Sequence, residues 1–384
     1  MDFSTMVLTM YVAVEDSPDN DERVLAIAVE QSIAAAQLGF NPWFTEHHFR
    51  GPWHSSPIQF ASYIAPQIPP DRFLGFGVLS TPYYNPVRLV ESMNLLDQLT
   101  RGRTLYGIGS GFPGIEPAGM GVPDDYHGSG RAAEDTVEIM QRLWEFRTGD
   151  PEYAFETPTH KGRIRRRVTP APYRKRHPIV IRTASRDASL QKAVRNGWPI
   201  FVGRSGSISD AAEQFRIYRD ALDKANHPPE VVAECLRWCT VDWLSVVVAD
   251  TDAEAQRRFA AARSEMIAMR QSFAQRFHAI HGPLSSRHGG AGSAAAFAAG
   301  GDMDDAVVGS PDTVARQVKE LADAGINHIL LRFVGEWVGE TRWISEDSMK
   351  LFAAEVAPRF RDLAPPRDLG GMTTTTGVTL PSVS

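Results

Sequence analysis

Short runs rich in β-branched and aromatic residues alternate with longer runs of helical spacing along most of the 384-residue chain. Residues 7–14 predict a first strand. Residues 22–38 follow with apolar positions at Val24, Ile27, Ala28, Ala35 and Leu38 and a stop at Gly39, the pattern of an amphipathic helix. Residues 41–45 predict strand two, and Pro57 opens the next helix. Strand three is expected over 73–80, followed by a helix with Asn85 as cap, Pro86 as first residue and Leu99 as last. Strand four, 104–109, runs into the glycine-rich loop Gly109-Ser110-Gly111-Phe112-Pro113-Gly114. A helix over 131–146 and a polar, basic excursion to His177 come next. Strand five is 178–183, with its helix starting near Ser185; strand six is 199–202, with its helix over 208–225. Strand seven, 240–248, precedes the capping-box pattern Thr251-Asp252-Ala253-Glu254. A helix over 311–324 leads to strand eight, 328–333. Eight strand–helix units in one chain of this size predict the α/β class and a closed (β/α)8 TIM barrel, one domain over 1–366.

Two segments break the rhythm. Residues 282–302, rich in Gly, Ala and Ser between units seven and eight, read as a disordered stretch or a mobile lid over the barrel mouth. Residues 367–384 are Thr-, Ser- and Gly-rich and read as a flexible tail.

Composition narrows the function classes. With 43% hydrophobic and 22% charged residues and a formal net charge of -6, the chain carries no electrostatic footprint for nucleic acid. The one basic run, Lys161-Gly162-Arg163-Ile164-Arg165-Arg166-Arg167, reads as a solvated loop or the edge of an anion-attracting pocket. No stretch reaches the roughly 18 apolar residues of a membrane span, and no signal peptide is indicated, so a cytoplasmic protein is expected. Cys235 and Cys239 would lie about 13 Å apart on a strand, too far to bridge, which predicts two buried free thiols.

The concentrated chemistry is Glu46-His47-His48 at the end of strand two, followed by Phe49, Trp53 and His54. In a barrel, the carboxyl ends of the strands carry the reacting groups. Adjacent strand residues point to opposite faces, so His47 and His48 should not both enter the pocket, and Glu46 should turn with His48. His47 is then either an acid–base group or a structural imidazole; His48 is structural or supporting; Glu46 is a site carboxylate or a buried one satisfied by an arginine. Consecutive residues do not easily converge on one ion, so no metal site is expected.

The stretch from Gly77 to Arg88, Gly-Val-Leu-Ser-Thr-Pro-Tyr-Tyr-Asn-Pro-Val-Arg, together with Asn94–Arg103 and Gly107-Ile-Gly-Ser-Gly-Phe112, resembles the bacterial luciferase-like, flavin-dependent monooxygenase family. Thr45-Glu46-His47-His48-Phe49, Gly309-Ser310-Pro311 and Ser348-Met349-Lys350-Leu351-Phe352 resemble further motifs of that family in the same order, over about residues 6–362. The resemblance implies reduced FMN as a diffusible co-substrate delivered by a separate flavin reductase. Oxygen would add at the flavin C4a position to give a peroxyflavin that oxygenates a small, moderately apolar organic substrate. It also implies a homodimer or heterodimer.

By the same resemblance His47 matches the catalytic histidine, and Gly77-Val78 occupies the place of an often cis, non-prolyl bond beneath the flavin ring. A glycine packed in a barrel strand is the other reading of that pair. Glu116 falls where an acidic residue often lies near the active site; a solvated loop carboxylate is its alternative. Ser110 departs from the pattern, because luciferases carry there an arginine that contacts the flavin phosphate. Ala184, Ser185, Arg186 and Ser189 at the start of helix five offer a substitute anion site, with Ser185 as a plain N-cap the other reading and Arg204 a further candidate. Trp43, Phe49, Trp53, Phe112 and Trp198 are candidate pocket walls, and Trp337 and Trp343 either border the mouth or pack on the last helix. Three alternatives stand beside the monooxygenase: an oxidoreductase dependent on the deazaflavin F420, whose acidic tail the basic run would serve; a non-catalytic flavin-binding partner subunit; and a barrel with unrelated chemistry.

Overall fold

The computed structural model describes residues 1–7, 17–49, 55–184, 187–202, 207–281, 300–335 and 337–363. Its strands, in chain order, are β1 (Asp2–Met6), β2 (Asn41–Phe44), β3 (Leu74–Ser80), β4 (Thr104–Gly109), β5 (Tyr153–Glu156), β6 (Lys161–Ile164), β7 (Ile179–Thr183), β8 (Ile200–Val202), β9 (Thr240–Val248), β10 (Val307–Gly309) and β11 (His328–Phe333). Eight of them, in the order β11-β1-β2-β3-β4-β7-β8-β9, pair in parallel, and β9 also pairs with β11, which closes the barrel. β5 and β6 form an antiparallel hairpin apart from it, and β10 adds to the upper half of β9.

Helices α1 (Pro18–Gln37), α2 (Pro57–Ile64), α3 (Pro86–Leu99), α4 (Ile115–Gly119), α5 (Asp124–Gly128), α6 (Arg131–Glu145), α7 (Asp187–Asn196), α8 (Ile208–Asp223), α9 (Pro229–Trp238) and α10 (Asp252–His281) follow in sequence, and two more span Pro311–Asp323 and Arg342–Leu351. The side-chain oxygen of Asn85 accepts from the Val87 and Arg88 amides, which fixes the start of α3 where Pro86 can replace an unneeded donor.

Strand alternation sorts the apolar residues into two cores. Met6, Trp43, Leu105, Ile179, Ile181, Phe201 and Leu330 meet inside the barrel. Their neighbours in sequence, such as Phe44, Phe76, Val180, Ile200, Ile329 and Leu331, face the helices. The amino-terminal end of the barrel is plugged by polar groups: His328 lies between the Ser4 and Thr240 hydroxyls at 2.6 and 2.7 Å. Thr240 donates its own proton to Trp238 O, so it accepts from His328 Nδ1–H, and His328 Nε2 accepts from Ser4.

Several expectations are corrected. The first strand comes earlier than 7–14: Asp2–Met6 is the barrel strand, and residues 8–16 lie outside the described residues. The basic excursion contains the β5–β6 hairpin, whose Tyr153, Phe155 and Ile164 pack against the core. Cys235 and Cys239 stand on helix α9 and its C-cap rather than on a strand; both are buried and free. Of the expected lid, 282–299 lies outside the described residues, and Gly301–Met303 forms a 3-10 turn. The tail over 367–384 also lies outside them. Among the described residues no helix is long and apolar enough to cross a membrane.

Candidate active site

Glycines open the barrel at the carboxyl ends of β3 and β4. Gly75, Gly77, Gly107 and Gly109 take interior positions there, beside Val78. Two of these spaces are already filled: a Cβ on Gly75 would stand 2.1 Å from the Trp43 indole, and one on Gly107 would stand 2.2 Å from Phe76 O and 2.7 Å from the Phe201 ring. Higher up, a Cβ on Gly77 would meet Met6 Cε at 3.0 Å and Trp43 Cε3 at 3.2 Å, so these two side chains make the floor. The Gly77–Val78 peptide bond is cis. Trp43 thus belongs to the floor of the mouth.

His47 follows β2 on the interior side. Its Nδ1 lies 3.2 Å from Glu116 Oε1, and its ring packs 5.4 Å from that of Phe112. Glu116 sits in the first turn of α4 and is fully buried, so it is not a solvated loop carboxylate. The glycine-rich loop that carries Phe112 is clamped from two sides. The Tyr83 hydroxyl donates to Phe112 O at 3.0 Å, His127 Nε2 donates to Ser110 O at 2.7 Å, and the Tyr83 and His127 rings stack. Gly111 has φ 74°, and a Cβ there would fall 2.5 Å from the Tyr83 hydroxyl, so the loop needs glycine at this point.

Glu46 and His48 turn the other way, as alternation requires. Glu46 Oε1 accepts from His48 Nε2 at 2.8 Å and Oε2 from the Ser80 amide at 3.0 Å. Burial raises the Glu46 carboxyl above its ordinary range, against the lowering pull of these hydrogen bonds and of Tyr84. The same burial, with Glu46 alongside, pushes the Tyr84 phenol up. The carboxylate is therefore satisfied by a histidine, an amide and a tyrosine rather than by the expected arginine. The pair ties the end of β2 to β3 and holds the strand from which His47 emerges.

Only part of the expected anion site falls among the described residues. Ser185, Arg186 and Arg204 lie outside the described residues, as do Trp53 and His54. Ala184 packs outward into the helix-side core and gives its carbonyl to Gln214 Nε2 at 3.1 Å, so its side chain does not face the mouth. Ser189 is half-buried on the first turn of α7. Thr183 does face inward, with its hydroxyl on Ile108 O at 3.3 Å. Beneath this loop Arg182 pairs with Glu134, which also takes Lys192 at 2.7 Å, so β7, α6 and α7 are locked together. Ser110 is exposed, with its carbonyl held by His127.

Other aromatics are redistributed. Trp198 is not a pocket wall: it is buried on the helix side, with Nε1 donating to His177 Nε2 at 3.2 Å. Phe49 is 53% exposed and rests on Gly119. Trp337 is buried against Ser345 of the last helix, while Trp343 is half exposed beneath Arg258. The basic run extends along β6 and beyond, with Lys161 on Glu156, and Arg163 and Arg165 on Glu152. Among the described residues no group of three or more His, Cys, Asp or Glu is arranged to hold a metal.

Comparison with known proteins agrees with this architecture. The sequence profile of luciferase-like monooxygenases matches residues 5–328. Limonene 1,2-monooxygenase of Rhodococcus erythropolis is 26% identical, across 95% of this chain and 89% of its own length. The alkanal monooxygenase alpha chain of Photorhabdus luminescens is 23% identical over 56% of this chain and 58% of its own. An uncharacterised protein of Sinorhizobium fredii is 29% identical, and the chain spans 61% of its length. The oxygenating constituent of 3,6-diketocamphane monooxygenase from Pseudomonas putida, solved with FMN, superposes with a TM-score of 0.67 at 17% identity, over 94% of this chain and 99% of its own.

Proposed function

The chain belongs to the luciferase-like monooxygenase family, and from that premise we propose that it is an FMN-dependent monooxygenase using reduced FMN and O2 on a small, moderately apolar substrate. The observation that carries the reading is the His47–Glu116 pair beside a glycine-lined barrel mouth. The glycine face fits a flat ring: Gly77 and Gly109 present backbone where any side chain would stand within 3.0 Å of Met6 or Val78. Ser189, Thr183 and the start of α7 are the groups this reading assigns to a phosphate. Reduced flavin, when bound, supplies the electrons and the site at which oxygen is activated.

This chain's own residues do the rest. Glu116 accepts the Nδ1 proton of His47, and Nε2, on the opposite edge of the ring, is the atom assigned to exchange a proton with substrate. The carboxylate also favours the imidazolium that such a transfer creates. Phe112, Met6, Trp43 and Val78 exclude water, so charges formed in the mouth are little screened. The Tyr83–His127 clamp keeps Phe112 on His47.

The bound FMN of the Pseudomonas relative and the oxygenase names of the limonene and alkanal relatives support FMN and oxygen here. The deazaflavin alternative draws less support, since Lys161, Arg163 and Arg165 of the basic run it relies on are paired along the hairpin with Glu156 and Glu152. The intact His47–Glu116 pair argues against a silent subunit. A separate reductase and a dimeric assembly belong to the same proposal. The test is stopped-flow mixing of anaerobic protein, loaded with photoreduced FMN, with oxygenated buffer. Reoxidation at least about tenfold slower than that of free reduced FMN is expected of a site that takes control of the flavin; reoxidation at the free rate, with tight binding of reduced F420, overturns the reading.

A further inference from the structure

The basic run over 161–167 plays no part in the site described above. The β5–β6 hairpin that carries it is two-faced. Tyr153, Phe155 and Ile164 pack against the core, and a Cβ on Gly162 would fall 2.5 Å from the Phe155 ring, so the two strands sit close on that side. Glu152, Glu156, Lys161, Arg163 and Arg165 are exposed, and exposed Arg166 and Arg167 continue the run. Residues 151–167 hold five cations and two carboxylates, a surplus of three positive charges; the whole chain has a net charge of -6, so the rest of it carries -9. The ion pairs with Glu152 and Glu156 occupy contacts but leave that surplus in place. The hairpin turns beside the mouth. Thr157 hydrogen-bonds the Tyr126 phenol, next to His127, and His160 hydrogen-bonds the Tyr84 backbone, next to Tyr83. Tyr83 and His127 are the clamp on the Phe112 loop. Lys161 follows the turn directly, and Arg163 and Arg165 lie about 7 and 13 Å further along the strand direction.

We propose that the β5–β6 hairpin is an electrostatic guide: it draws a phosphorylated flavin toward the mouth of an otherwise acidic protein and speeds its capture without holding it once bound. This rests on the FMN reading above. A phosphate monoester carries about -1.5 to -2 charges at neutral pH, so the acidic body repels it and the hairpin attracts it. The field of exposed charges is screened over roughly 30 Å at 0.01 M salt and 8 Å at 0.15 M. The surplus therefore spans the distance from Arg165 to the turn at low salt and little of it at high salt. Charges of this kind, outside the bound site, change the rate of encounter rather than the rate of release. Unlike a contact for a long acidic tail, a guide needs only net charge, which the ion pairs of the hairpin do not remove.

The experiment is anaerobic stopped-flow mixing of the protein with photoreduced FMN or photoreduced riboflavin, followed by tryptophan fluorescence. The two flavins share the ring and differ in the phosphate. FMN association is expected to slow at least about threefold between roughly 0.02 and 0.3 M NaCl, while riboflavin association holds steady. A variant combining Arg163→Gln, Arg165→Gln and Arg166→Gln should slow FMN association about three- to tenfold at low salt, with FMN dissociation and both riboflavin rates unchanged. Glu152→Gln enlarges the surplus by one charge, so FMN association should quicken, a change that damage to the fold would not produce. FMN association that ignores salt, or that neither variant moves in its expected direction, overturns the proposal. Faster FMN dissociation in the triple variant overturns it too, because the arginines would then belong to the bound site. So does equal slowing of riboflavin, because the phosphate would not be what the hairpin attracts. Failure of both reduced flavins to bind overturns the FMN reading itself, a result distinct from binding without salt dependence.

Discussion

An imidazole exchanges a proton in a defined direction when one of its nitrogens is held, and Glu116 holds Nδ1 of His47. His47→Ala removes the proton acceptor while leaving the glycine face intact. Product formed per reduced FMN consumed should fall by about 10²-fold or more, with FMN affinity near normal. Full activity would remove His47 from the mechanism. Glu116→Gln keeps a hydrogen-bonding partner but not the charge, so a smaller loss, roughly tenfold, is expected in the same assay. Half of this pair was legible in the sequence. Glu46-His47-His48 ends a strand, and the two-residue period of a strand is enough to separate His47 from its neighbours. The contact with Glu116 spans 69 positions and has no local signature, so only the family resemblance pointed to it. Tyr83 and His127 escaped because an aromatic and a histidine on a five-residue helix read as ordinary until the barrel closes around them.

The strands divide their labour by what replaces a side chain. On β3 and β4 the glycines are of two kinds, which a substitution separates. At Gly107 a Cβ would meet the backbone carbonyl of Phe76 at 2.2 Å, and a carbonyl in a paired strand cannot move without breaking its ladder. At Gly77 the nearest atom, 3.0 Å away, is the flexible tip of Met6. Gly107→Ala should therefore cost about 1–3 kcal/mol in urea unfolding, and Gly77→Ala less than about 1 kcal/mol. Equal costs would mean that the floor is as rigid as the strand backbone. Elements with a strong period or a cap were readable: β4, β9 and β11 match their expected spans, and α3 begins at its Asn-Pro signal. β1 was displaced toward the more apolar 7–14 because one of its inward residues, Ser4, is polar and packs on a buried histidine, which leaves Met6 as its apolar inward residue. The β5–β6 hairpin was hidden because its charges dominate the segment while Tyr153, Phe155 and Ile164 alternate quietly beneath them. Helix α9 holds ten residues between two prolines and strand seven, too short to show its period beside the longer α8.

At the scale of the whole barrel, stability in acid depends on two histidines buried as neutral rings far apart in sequence. His328 is pulled down to about 3 by burial at the polar plug, with the Arg237 charge adding to that and Asp2 opposing it. His177 is pulled down to about 4 by burial, with Arg176 and Arg174 adding to it and the Pro178 carbonyl opposing. Geometry agrees: His177 Nε2 accepts from Trp198, and His328 Nε2 accepts from Ser4, so a proton on either nitrogen breaks a bond already made. Both folded values lie below the ordinary histidine value of about 6.5, so the unfolded chain takes up these protons first. Their contribution is intact above about pH 6.5 and drains away as pH falls, His177 down to about 4 and His328 to about 3. Each ring loses roughly 1.4 kcal/mol for every pH unit crossed in that descent. Glu46 and Asp97, whose carboxyls burial raises, act in the opposite sense, because the folded chain binds their protons more readily than the unfolded one. Their relief sets in as pH falls through their raised folded values and offsets part of the loss that the two histidines bring between about pH 6.5 and 5. Urea midpoints should accordingly drop across that interval, and Trp198→Phe, which removes the donor to His177, should shallow the drop. A midpoint flat from about pH 7 to 5 would show that neither ring is held neutral by the fold.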